Sequence, residues 1–191
     1  MLKKSSRDLI GYGKKGKKIS WPNNAKLALQ IVLNYEEGGE NSVLNGDQFS
    51  ETFLSEIIGA KAIKGRHISM ESIYEYGSKV GFWRLDRLFK EKKIPVTIFG
   101  VGLALDQNPE VCEAIKKGDY EVAAHGYRWI DYQNIKKSVE KKHMHQAIKT
   151  IKNIFGSRPL GWYTGRCSPN TRDLVFDDGG FLYDSDSYSD D

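Results

Sequence analysis

Residues 27–40 read LALQIVLNYEEGGE: an apolar run from Leu27 to Leu33 stops at two adjacent carboxylates, Glu36 and Glu37, followed by Gly38 and Gly39. A run of this kind bounded by glycine predicts a buried strand, residues 26–34, that delivers acid groups at its carboxyl end. Successive side chains of a strand point to opposite faces. Glu36 and Glu37 therefore share one pocket only if the chain bends, which the two glycines permit. Taken alone, the pair also suits a solvated polar turn, because exposed glutamate after a strand is commonplace.

Outward from this stretch, strands and helices alternate. Helical periodicity marks residues 70–76 and 81–92, the second with Phe82, Leu85, Leu88 and Phe89 on one face. A β-rich run at 96–99 follows. Asn108 then caps a helix that opens with Pro109 and closes at Gly118. A strand at 120–124 leads straight into His125. Beyond it lie a helix at 134–155 with lysines on its outer face, a strand at 160–163, a helix at 171–177 and a strand at 181–183. Residues 41–69 are irregular apart from a short helical candidate at 51–58, and so long a connection in a compact domain usually serves binding or catalysis.

This order predicts an α/β fold, a parallel sheet covered by helices. The polar candidates all follow strands: Glu36 and Glu37 the first, His125 the third, Arg166 the fourth, Asp184 and Asp186 the fifth. Ligands bind at the carboxyl ends of strands in barrels and open α/β sheets alike, so this shared placement favours a site.

With 191 residues and 39% apolar composition, the chain can bury one core. The net charge of +4 comes largely from Lys3, Lys4, Arg7, Lys14, Lys15, Lys17 and Lys18. These define a basic arm, residues 1–24, ahead of a domain over 25–191. The arm shows no periodic basic face and reads as solvated, with no nucleic-acid partner. No stretch approaches the ~20 apolar residues that span a bilayer, and no signal-peptide run opens the chain, so a soluble cytoplasmic protein without a membrane partner is expected. Cys112 and Cys167 form neither a disulfide framework nor a zinc spacing. His143 and His145, two apart on one helix, face different directions and do not share a metal.

Three motifs then stand in the order of a known family. Asn34-Tyr35-Glu36-Glu37-Gly38 resembles the Thr-Phe-Asp-Asp-Gly motif of the polysaccharide deacetylase (NodB homology) family. His125-Gly126-Tyr127-Arg128-Trp129 resembles its His-x-x-x-His motif, and Thr164-Gly165-Arg166-Cys167-Ser168-Pro169 its arginine-proline motif. Residues 7–13, 33–41, 70–83 (MESIYEYGSKVGFW), 128–132 (RWIDY) and 159–170 (PLGWYTGRCSPN) are similar to the bacterial PuuE-type allantoinase branch of that family.

The resemblance implies a distorted (β/α) barrel, here about five βα units and so incomplete, since an eight-stranded barrel takes ~250 residues. It implies hydrolysis of a carbon–nitrogen bond; the allantoinase branch opens the hydantoin ring of allantoin to give allantoate in purine breakdown. Carried over by position, Glu36 is the general base, Glu37 and His125 are metal-ligand positions, and Trp129 occupies the third. Indole nitrogen only donates and cannot coordinate a cation, and a catalytic zinc normally has three protein ligands. The metal site is therefore expected to be vestigial and no cofactor is needed, as in the allantoinase branch.

A like charge from Glu37 and partial burial would raise the Glu36 carboxyl from its ordinary pKa near ~4.3 into a useful range. Arg166 would polarise the ring carbonyl or hold the oxyanion, and His125 would hold or relay a proton. Tyr35, Trp129, Tyr163 and Asp184 are the candidate substrate-binding residues, with Trp129 and Tyr163 walling a flat polar heterocycle. The expectation is an allantoinase-like amidohydrolase acting on a small molecule. Two alternatives stand beside it: a metal-dependent deacetylase of N-acetyl sugars, and a non-catalytic remnant or subunit of a split enzyme. An incomplete barrel would expose sheet edges, which predicts a homo-oligomer or a second chain that completes it.

Overall fold

A computed structural model describes residues 7–189. Lys3 and Lys4 of the basic arm lie outside the described residues, as do Asp190 and Asp191.

Five short parallel strands form one sheet, in the order in which they occur in the chain. They are β1 (Val32–Tyr35), β2 (Thr97–Gly100), β3 (Glu121–Ala124), β4 (Gly161–Trp162) and β5 (Tyr183–Asp184). Parallel neighbours need crossover connections. These are supplied by α1 (Ile68–Tyr76), α2 (Phe82–Lys92), α3 (Gly102–Gln107), α4 (Pro109–Lys117), α5 (Lys137–Phe155) and α6 (Thr171–Asp178). The strand order never reverses, so the sheet has no topological switch point of the doubly wound kind. It is the order of successive units around a βα barrel.

The register places Tyr35 beside Gly100, and Gly100 beside Ala124, which in turn meets Trp162. The carboxyl ends of four strands are thereby level, and the residues just after them open on one rim. Beneath the rim Ile98, Val101, Leu105, Ile115 and Ile151 are fully enclosed between sheet and helices, in a core that also holds Tyr35, Phe82 and Phe89. Asn108 anchors this layer twice. Its Oδ1 accepts from the Val111 N–H (3.2 Å) to cap α4, while its Nδ2 donates to the Tyr35 hydroxyl (2.9 Å).

The elements depart from the sequence expectation chiefly in four places, besides the later starts of α5 at Lys137 and β5 at Tyr183. The first strand begins at Val32, not at residue 26, because β2 is only four residues long and leaves Leu27 and Leu29 exposed without a neighbour. Residues 51–58 are turns, not a helix: the Glu51 carboxylate accepts from the Thr52 and Phe53 amides, and Ile57 and Ile58 are exposed, leaving no apolar face to bury. Helices α1 and α2 are continuous through a π turn at Gly77–Gly81. Helix α3 was not anticipated, being too short to carry a clear period.

Candidate active site

The site begins where β1 ends. After Tyr35 the chain turns, closed by the Gly39 N–H donating to the Glu36 carbonyl (2.8 Å). Gly38 has φ +99°, which favours glycine, and a Cβ on Gly39 would fall 2.4 Å from Val101 Cγ1. The turn folds back so that Glu36, Glu37 and Glu40 line one cleft with Tyr74 and Trp129, enclosing about 200 Å³ of partly open space. The Trp129 N–H donates to the Gly39 carbonyl (2.8 Å) and fixes the indole across from the carboxylates. Arg128 donates to the carbonyls of Gly39 (3.1 Å) and Glu40 (3.0 Å) and pairs with Asp47, fastening the turn to the loop after β3.

His125 follows β3 and is 2% exposed. Its Nδ1 lies 2.8 Å from the Tyr163 carbonyl and its Nε2 2.8 Å from Glu36 Oε1. A carbonyl can only accept, so Nδ1 carries a hydrogen. One further proton must then lie between Nε2 and the Glu36 carboxyl, held by whichever atom is the more basic. The Asn34 amide donates to the same glutamate oxygen (3.0 Å), and the imidazole stacks on the Tyr163 ring at 4.9 Å. His125 is therefore held on three sides, with its reactive nitrogen committed to Glu36.

Glu37 differs from its neighbour. Its carboxyl pKa is raised chiefly by burial, with the charges of Glu36 and Glu40 adding to that and backbone hydrogen bonds opposing it. Space for this side chain comes from the π turn: a Cβ at Gly77 would sit 1.8 Å from Glu37 Oε1. Such turns inside helices are frequent at functional sites. Glu40 is also raised, first by burial and then by its neighbour Glu51, against the Gly38 amide and the Arg128 charge.

Arg166 lies against the cleft's aromatic wall. Its guanidinium carbon is 5.0 Å from the Trp129 ring centre and 5.3 Å from that of Phe53, and its Nη1 is 3.2 Å from Glu51 Oε2. Burial pushes the Glu51 carboxyl up, but the Phe53 and Thr52 amides and Arg166 outweigh it, and the net shift is downward. The loop carrying Arg166 is braced by two buried carboxylates. Asp186 accepts from the amides of Thr164 (2.8 Å) and Gly165 (2.8 Å), and Glu140 accepts from the hydroxyls of Ser168 (2.6 Å) and Thr171.

Glu36, Glu37, His125 and Trp129 thus come together, with Arg166 against Trp129 and Tyr163 beneath His125. Of the expected substrate-binding residues Trp129 lines the cleft, Tyr163 lies behind His125, and Tyr35 and Asp184 point elsewhere. Tyr35 lies in the core, 2% exposed, edge-on to Phe82 with its hydroxyl on Asn108, because the strand's last inward position points down into the helices. Asp184 accepts from Arg172 Nε (3.2 Å) and from the Asp186 amide (3.0 Å) in a separate groove along β5. Glu40 and Tyr74 line the cleft without having been singled out. Glu40 stands in the deciding stretch, but its direction depends on the glycine turn; Tyr74 sits on a helix that could have faced either way.

As a metal site the donors do not fit. The third position of the metal pattern is an indole, whose nitrogen only donates. Among the described residues no group of three or more His, Cys, Asp and Glu side chains is placed to hold a metal ion. His143 packs against Tyr132 and Tyr127, while His145 is exposed. No helix among the described residues is long and apolar enough to cross a membrane.

Residues 65–180 match the polysaccharide deacetylase family. A protein of Schizosaccharomyces pombe classed as a polysaccharide deacetylase is 43% identical over 197 residues, covering 97% of this chain and 61% of its own length. The crystal structure of PuuE allantoinase superposes with a TM-score of 0.93 at 52% identity, covering 98% of this chain and 63% of that one. A Pseudomonas aeruginosa PAO1 protein classed as a polysaccharide deacetylase gives the same TM-score and coverage at 54% identity. The chain thus spans 61–63% of the length of these relatives.

Proposed function

The chain belongs to the polysaccharide deacetylase family, and within it we propose that this polypeptide serves a metal-independent amidohydrolase that opens the hydantoin ring of allantoin to allantoate. The observation that carries the reading is the commitment of His125 to Glu36 opposite an indole. In the metal-dependent pattern the positions of His125 and Trp129 both ligate, whereas here His125 bonds to Glu36 and an indole, which cannot ligate, fills the other. The likeness to PuuE allantoinase supports the same choice.

The cleft's chemistry is compatible with it. Glu36, Glu37 and Glu40 line the space together, and their carboxyl oxygens accept hydrogen bonds. Such a pocket suits a small, flat ligand rich in N–H groups, and Trp129 and Tyr74 offer faces for a planar ring. In the proposed reaction the Glu36–His125 pair takes a proton from water as its oxygen bonds to the ring's amide carbon. The carbon–nitrogen bond then breaks, its electron pair goes to nitrogen, and Glu37 delivers a proton there. Burial favours the protonated form of Glu37 that this step requires. The acid formed ionises and returns one proton to the site or solvent. Arg166, resting on Trp129, stabilises the negative charge on the carbonyl oxygen during attack.

The test is direct assay of allantoin and of an N-acetyl sugar oligomer with the purified chain and its Glu36→Gln variant. Allantoin opening that falls about 10²–10⁴-fold in the variant is expected. Deacetylation of the sugar without ring opening would refute the proposal.

A further inference from the structure

The long connection of residues 41–69 reaches the active site through one carboxylate, that of Glu51. Its Oε1 accepts from the Thr52 and Phe53 amides (2.9 Å each), and the Glu51 N–H donates to the Asn41 carbonyl (2.8 Å). The flanking chain is pinned in turn. Ser50 and Ile63 form a backbone bridge, and the Tyr74 hydroxyl donates to the Phe53 carbonyl (2.8 Å). With Oε1 engaged by backbone, Oε2 is left to accept from Nη1 of Arg166 (3.2 Å), a residue 115 positions further along the chain.

The guanidinium depends on this contact for its direction. Trp129 and Phe53 have their ring centres 5.0 and 5.3 Å from it, but a ring face attracts a cation without fixing its rotation. A hydrogen bond to an ionised carboxylate does fix it. Among the described residues Glu51 is the one acidic group in ion-pair contact with Arg166, and its side chain is only 10% exposed, so salt screens the pair weakly. The downward shift of the Glu51 carboxyl keeps it ionised at neutral pH.

We propose that Glu51 is a positioning residue for Arg166: by fixing the rotation of the guanidinium against Trp129, it presents the remaining N–H donors to the oxyanion formed in the cleft. The inference rests on the role of Arg166 in the proposed ring opening. It also gives the long irregular connection a task, since that segment supplies both Glu51 and Phe53.

Glu51→Gln is a pointed test because both oxygens of the carboxylate face donors. The two backbone amides cannot turn away and keep the side-chain oxygen, so the new NH2 group meets Arg166 Nη1 donor to donor. Proton–nitrogen NMR of the arginine side chains, with Arg166 assigned by its loss in Arg166→Ala, reads the guanidinium, and ring opening by the same proteins reads kcat and KM. The unaltered chain should show separate, slowly rotating Nη signals that merge in Glu51→Gln. Its kcat should fall about 10–100-fold with KM little changed, and adding Glu51→Gln to Arg166→Ala should cost nothing further. Unchanged Arg166 signals overturn the proposal. So do losses that multiply in the double variant, or a Glu51→Gln protein that melts lower yet keeps the full kcat that Arg166→Ala loses. Glu51→Asp keeps the charge but is too short to span both the amides and Arg166; it takes over, with the same outcomes, if a thermal melt shows Glu51→Gln unfolded. Merged signals in a chain that opens no ring, or whose Arg166→Ala variant retains full turnover, sink the role of Arg166 in ring opening and leave its positioning by Glu51 standing.

Discussion

At the scale of single residues, two adjacent glutamates have been given different surroundings. Glu36 faces an imidazole and an amide; Glu37 is half-buried against a bare glycine. Burial raises the Glu37 carboxyl, and the charges of Glu36 and Glu40 add to the effect. This has a thermodynamic consequence. The native state holds the Glu37 proton more tightly than the unfolded chain, whose value is near 4.5. Unfolding therefore releases a proton between that pH and the raised native value, and stability falls as pH rises through this window. Glu37→Gln should stabilise the fold at neutral pH, with the advantage vanishing below about pH 4 as both states become protonated. Urea unfolding of both proteins from pH 4 to 8 measures it, and a variant less stable at pH 7 would contradict the assigned environment. Such a gain in stability alongside lost activity is the usual signature of a strained catalytic group.

At the scale of elements, the π turn between α1 and α2 and the cap of α4 carry the argument. Gly77 and Gly81 bound the same turn, yet a Cβ at Gly77 meets Glu37 Oε1 at 1.8 Å while one at Gly81 meets nothing nearer than 3.7 Å. Gly77→Ala should therefore displace Glu37, costing about 1–3 kcal/mol by overpacking and most of the activity. Gly81→Ala should be nearly silent in both. Equal effects in melting and turnover assays would show that the turn's shape, not its clearance, is what matters. Asn108→Ala removes the α4 cap and the Tyr35 contact together and should cost about 1–2 kcal/mol in chemical denaturation.

The alternation of helix and strand was legible because most elements carry their own period: Phe82, Leu85 and Phe89 declare α2, and Asn108-Pro109 declares the start of α4. The π turn was not legible, since its reason is Glu37, forty residues away in the chain. Nor could local pattern show that Tyr35 turns inward while Glu40 turns toward the cleft. The direction of Glu40 follows from the turn at Gly38 and Gly39, which lie against Gln107 and Val101, and no local period encodes it.

At the scale of the whole molecule, the sequential strand order matters most, because it brings loops from β1, β3 and β4 to one rim without a switch point. Strand ends therefore predicted Glu36, Glu37, His125 and Arg166 as neighbours, whereas Asp184, also at a strand end, lies beyond β4 and is drawn to Arg172. The chain spans 61–63% of the length of its relatives, and the residues lining the cleft come from the loops after β1 and β3 and from α1. The central claim is that these residues open a ring by proton transfer between side chains, with His125 committed to Glu36 instead of to a metal. Its most direct test is allantoin turnover by the purified chain after exhaustive chelation, followed by addition of zinc or cobalt. Undiminished turnover that the added metal does not raise is the predicted result. Activity lost on chelation and restored by either metal would contradict it.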